Sequence, residues 1–146
     1  HAEYELGLLA ESEITDEQMR ALVEEPFSGF LAGFRGVERD KVYDFFNQPE
    51  DLNWGYQMQQ NITDFITTHP ERAGVELVGV SCKTNQCEFR VLEKDPIDQS
   101  YHVIINEMQK QDWWEFTSAQ SMSSGMPDTN AHKIFMFVSV QDKQQG

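Results

Sequence analysis

Residues 75–94 read VELVGVSCKTNQCEFRVLEK, and this stretch decides the fold. Two runs rich in β-branched and aromatic residues flank the short polar segment Lys83-Thr84-Asn85-Gln86, which is the pattern of a β-hairpin. Alternation places Val78, Val80 and Cys82 on one face of the first strand, Val75–Cys82. It places Cys87, Phe89 and Val91 on one face of the second, Cys87–Lys94. In that register Cys82 and Cys87 lie opposite each other across the hairpin, within reach of a disulfide. Closing so short a loop contributes about 2 kcal/mol on the chain-entropy model, so the bond is a local clasp. A disulfide points to an oxidising compartment, periplasmic or extracellular. The alternative is a pair of reduced thiols. Cys-x-x-Cys redox spacing is absent, and zinc would need a second ligand pair.

Working outward, the hairpin is preceded by a helix. Asp51 is its expected N-cap, and Trp54, Met58, Ile62, Phe65 and Ile66 form one apolar face as far as His69-Pro70. It is followed by a second helix opening at Asp95-Pro96, with Ile97, Tyr101, Ile104, Ile105 and Met108 at helical spacing. Trp113–Met122 and His132–Gln141 then read as two more strands, separated by a loop rich in turn formers, residues 123–131. The order helix-hairpin-helix-hairpin predicts an α+β unit: one four-stranded antiparallel sheet with both helices packed on one face.

Residues 1–50 read differently. Eight acids stand there before residue 26 against a single base, Arg20. Thr15-Asp16-Glu17-Gln18 fits a capping box, with Ile14 and Met19 spaced as its hydrophobic staple. Phe27, Phe30, Leu31 and Phe34 make one apolar stripe on a short helix that Gly36 would end, and Val42, Phe45 and Phe46 mark a third. We therefore expect an acidic helical arm, residues 1–50, packing on a compact α+β unit, residues 51–146, in one domain overall.

The composition narrows the function classes. With 25 acidic and 11 basic residues the net charge is −14, and no basic stripe is available to displace phosphate counterions. That argues against nucleic-acid binding. No run of about 18 apolar residues exists to span a bilayer. Gly-rich phosphate loops, His-Glu-x-x-His and Gly-x-Ser-x-Gly are absent. No cofactor, metal or catalytic residue is therefore expected. Asp98 and His102 are spaced for an ion pair one helical turn apart, and Met122 and Met126 read as core filler.

The aromatic residues are the strongest functional hint. Adjacent Trp113 and Trp114 on a strand would face opposite sides, so one must enter the core while the other is covered or exposed. With the Phe27, Phe30 and Phe34 stripe they form the expected interaction surface. The plain alternative is that the arm's stripe covers the sheet within one molecule. The leading expectation is an exported, non-enzymatic binding or assembly module that recognises a protein partner. The second is a small hydrolase-like enzyme whose site gathers scattered carboxylates and His102.

Overall fold

The computed structural model describes residues 12–141. The chain divides into two compact units, His1–Gln48 and Pro49–Gly146.

In the first unit, helix α1 spans Asp16–Arg20, α2 Phe27–Ala32 and α3 Gly36–Phe46. The capping box is formed as its sequence requires. Thr15 Oγ1 accepts from the Gln18 amide at 3.1 Å, and Gln18 Oε1 accepts from the Thr15 amide at 2.7 Å. Met19, Phe27, Leu31, Val42 and Phe45 are buried. The glycine expected to end α2 does something else: α2 stops at Gly33, and Gly36, at φ 56°, opens α3. The Glu25–Pro26 peptide is cis.

Arg39, buried on α3, ties these short helices together. Its Nε donates to the Phe34 carbonyl and its Nη1 to the Ile14 carbonyl, both at 2.7 Å. Its Nη2 donates to Asp16 Oδ1 at 2.7 Å and also reaches the Ala32 carbonyl. Carbonyls left over at the end of α2 and before α1 thus find one planar cation. That is how a buried charge becomes tolerable. It also supplies an anchor that such short helices cannot supply by propensity alone.

The second unit carries the sheet. Helix α4 spans Trp54–Thr68, β1 Val75–Lys83, β2 Gln86–Glu93, α5 Ser100–Met108, β3 Ser118–Gly125 and β4 His132–Ser139. All neighbouring strands are antiparallel, in the order β1-β2-β4-β3. The α+β architecture read from the sequence is present. Met58, Ile62 and Ile66 of α4 and Ile104, Ile105 and Met108 of α5 share one core with Phe89, Val91, Met136 and Val138 of the sheet. Fully burying each such side chain contributes about 1.5–3 kcal/mol. The opposite face is buried at its centre as well, at Glu88, Phe135 and Phe137.

Three local features differ from the sequence reading, each for a physical reason. A β-bulge between Leu77 and Gly79 breaks the strict alternation of β1, so Leu77 rather than Val78 packs on the core. The helix expected from Asp95 is split. Asp95 caps a single 3-10 turn, Pro96–Asp98, and Gln99 then adopts a left-handed conformation at φ 56° before α5 begins. Ile97 is left 85% exposed instead of joining the apolar stripe. The missing cap of α5 comes from the sheet, where Glu93 Oε2 accepts from the Tyr101 amide at 3.0 Å. Finally, Trp113 and Trp114 precede β3 instead of lying on it, so the alternation rule does not separate them.

Candidate functional site: an aromatic ledge beside an open strand

The stretch 109–117 turns away from α5 and brings Trp113, Trp114 and Phe116 back over α4. Their rings form a continuous series. Phe65 meets Trp113 at 6.2 Å, Trp113 meets Trp114 at 6.3 Å, Trp114 meets Phe116 at 4.8 Å and Phe116 meets Trp54 at 6.0 Å. Most of these contacts are edge-on, the arrangement favoured by aromatic quadrupoles. Phe116 is buried, whereas Trp54, Phe65, Trp113 and Trp114 are only partly so, packed against the core on one side. The indole N–H of Trp54 points to Glu115 Oε2 at 3.4 Å. The result is a ledge of large, rigid side chains with one flank on the core and the other accessible.

The other residues of the expected interaction surface belong to the first unit. Phe27 is fully buried, with Phe30 edge-on to it at 5.9 Å and Phe34 edge-on to Phe30 at 5.6 Å. Phe30 and Phe34 are half-buried.

Cys82 and Cys87 form a disulfide inside the core, both sulfurs buried and 2.10 Å apart. The backbone N–H of Cys82 is directed away from β2 and donates to Gln59 Oε1 of α4 at 3.0 Å. The clasp therefore sits at a position without cross-strand backbone bonds, where antiparallel neighbours approach most closely. The helix comes near enough that a Cβ on Gly55 would lie 2.9 Å from the Cys82 carbonyl oxygen. Asp51 serves the start of α4 in place of a formal N-cap. Its Oδ1 accepts from the Asn53 amide at 2.9 Å, and its Oδ2 accepts from Thr84 Oγ1 at 3.2 Å. The Asn53 amide bond chiefly holds its carboxyl below the usual range.

The ionisable groups divide between structural roles and exposed positions. Glu88, fully buried on the face away from α4 and α5, takes a two-pronged bond from Arg90, Nε to Oε1 at 2.9 Å and Nη2 to Oε2 at 3.0 Å. Burial pushes its carboxyl up, and the Arg90 guanidinium opposes that shift. Burial likewise pushes the Tyr101 phenol up, with the Glu93 carboxylate adding to the effect. His69 is buried at the end of α4. Its Nδ1 accepts from the Glu71 amide at 2.9 Å, so the ring proton sits on Nε2 and is offered to Glu107 at 2.6 Å. His69 thus ties α4 to α5.

His102, the residue singled out for the enzymatic alternative, is exposed, its Nε2 3.1 Å from the Asn106 amide. The left-handed Gln99 interrupts the helical turn that would have brought Asp98 beside it. An open depression near the β3–β4 loop is lined by Asp95, Ile97, Thr129, Asn130 and His132. Asp95 there is engaged as an acceptor for the Ile97 amide. Among the described residues, no three His, Cys, Asp or Glu side chains are gathered to hold a metal ion. Nor is any helix among them long and apolar enough to cross a membrane.

The sequence did not signal the edge of the sheet. From Phe116 the chain passes into β3, Ser-Ala-Gln-Ser-Met-Ser-Ser-Gly, which pairs with β4 on one side only among the described strands. Its residues are exposed apart from Met122 and Ser124, which are half-buried. No family model matches the chain, and neither a curated protein nor a solved structure matches it.

Proposed function

We propose that this chain is an exported, non-enzymatic binding or assembly module that recognises another protein. The observation that carries the reading is the ledge of Trp54, Phe65, Trp113 and Trp114, large aromatics packed on the core along one flank and open along the other. Tryptophan in that setting is the residue type most enriched among energetically dominant interface positions. Its rigid ring buries much apolar area with little loss of side-chain entropy. The disulfide supports placement in a periplasmic or extracellular setting, where such a bond persists. The acidic surface, at a net −14, favours partners that are neutral or cationic and speeds encounters with the latter.

The test is capture of a partner by the full chain from extract of the native host, followed by titration with that partner once purified. Trp114→Ala and Trp113→Ala should each weaken the purified complex by tenfold or more when measured well below their thermal midpoints, which should fall because each ring also packs on the core. A partner that binds both variants as tightly as the parent chain would remove the ledge from the reading. Turnover of a substrate by the parent chain would replace the reading with the enzymatic one.

A further inference from the structure

The two edges of the sheet are treated very differently. Exposed edge strands pair readily with other chains, and natural proteins blunt them with charges, proline, bulges or a covering element. Edge strand β1 has three of these devices. It carries Glu76 and Lys83, a bulge interrupts it at Leu77–Gly79, and Gln59 of α4 occupies the outward N–H of Cys82. Among the described residues, edge strand β3 shows none of them. Its eight residues include no charge and no proline, and its register with β4 runs from Ser118 to Gly125 without a shift. This uncharged, exposed, evenly paired edge spans about 27 Å at ~3.4 Å per residue, long enough to take a whole added strand.

The charges flanking this edge say what such a strand would carry. The uncharged run 116–127 is bracketed by two exposed acids, Glu115 before β3 and Asp128 after it. A second copy of this chain fits poorly. If β3 paired antiparallel with itself about a twofold near Ser121, Glu115 of each copy would fall within a residue or so of Asp128 of the other. Acids flanking the strand would thus be brought toward one another at both ends, between chains that each carry −14. A segment with lysine or arginine at both ends meets the same two positions favourably. Resting on the protein-binding reading above, we propose that the partner docks by adding a strand to the free edge of β3. That strand is an extended segment whose uncharged, β-forming core is bracketed by basic residues.

The test uses the full chain and three synthetic peptides on the order of a dozen residues, the length that covers β3. One has a Val/Thr core with lysines at both ends, the second has glutamates in their place, and the third is the lysine peptide with a mid-core proline. Titration should show the lysine peptide binding at least tenfold more tightly than the glutamate peptide, and the proline peptide not binding. The outward-facing amides, every second one along residues 118–125, should gain protection from exchange in the complex. E115K/D128K should reverse the preference between the charged peptides, and Ser121→Lys, which guards the edge, should abolish binding. Binding of none of the peptides, equal binding of both charged ones, or protection confined to other residues would each overturn the proposal. So would reversible dimerisation that Ser121→Lys abolishes, which would make a second copy the occupant. If a purified host partner binds Ser121→Lys unchanged but loses Trp114→Ala, the edge falls and the wider protein-binding reading stands.

Discussion

Gly79 and Arg90 face each other across the hairpin, and a Cβ on Gly79 would fall inside the guanidinium of Arg90. The bare backbone of β1 is what lets the arginine side chain settle over the neighbouring strand and present both prongs to Glu88. Gly79→Ala should therefore displace the guanidinium and loosen a buried ion pair. Overpacking of that kind costs about 1–3 kcal/mol. Urea unfolding followed by tryptophan emission reports the second unit selectively, because all three tryptophans lie there. A loss within error of zero would mean that Arg90 has an equally good resting place.

Removing one member of the Glu88–Arg90 pair should be far worse than removing both. Glu88 is wholly buried and the Arg90 side chain is 12% exposed, so Arg90→Met leaves a buried carboxylate without its guanidinium, with the Ser81 hydroxyl still bonded to it. Breaking a buried pair in this way typically costs about 3–5 kcal/mol. The double replacement Glu88→Leu/Arg90→Met, which leaves no charge behind, should lie within about 1 kcal/mol of the parent or be more stable. Equal losses in the single and double variants would show that the pair's geometry matters and its desolvation does not.

The Cys82–Cys87 bond should behave as a clasp. It closes a loop of sequence separation 5, so its loss should lower stability by about 2 kcal/mol without abolishing folding. Comparing Cys82→Ala/Cys87→Ala with the parent by denaturant unfolding gives the value. Collapse of the sheet in the double variant would mean that the hairpin depends on the bond for its register, which Phe89, Val91 and their partners on β4 otherwise hold.

The pattern of success in the sequence follows from where local and tertiary demands agree. The hairpin, the capping box at Thr15 and the helix through Met58, Ile62 and Ile66 were legible because period, cap and turn all point the same way. Strand β3 was misplaced toward Trp113 and Trp114, since aromatic residues favour strands and Ser, Gly and Gln do not. The real strand exists because β4 supplies its backbone partners. The left-handed Gln99 and the bulge beside Gly79 leave little local trace, as neither needs a residue type that announces it. Glu88 and Arg90 fall on the side of β2 opposite Cys87, Phe89 and Val91, and alternation alone says nothing of what covers that side. Their burial became visible only with the face assembled. The ledge was half legible: Trp113 and Trp114 stood out, but their joining Phe65 and Trp54 depends on how residues 109–117 turn. Nothing in the sequence marked the open edge, because an edge is a property of strand order.

The first unit should respond to acid through Asp16. Its carboxyl lies below the usual range, chiefly because Arg39 donates to it, with the Arg35, Arg39 and Arg20 charges adding to the effect and burial opposing it. A carboxylate whose folded pKa is depressed binds protons less readily in the folded state than in the unfolded one. Its stabilising contribution is therefore full above the ordinary carboxylate range and is lost as pH falls through that range toward the depressed folded value. Because Arg39 also bonds the Ile14 and Phe34 carbonyls, protonating Asp16 removes only one of its partners. The helices should loosen without coming apart. Amide exchange of residues 14–20 and 34–46 against pH should show protection in the parent chain falling through that acid window. Asp16→Asn should start lower at neutral pH and lose this dependence. A parent and variant with the same acid profile would place the pH sensitivity of this unit on other carboxylates.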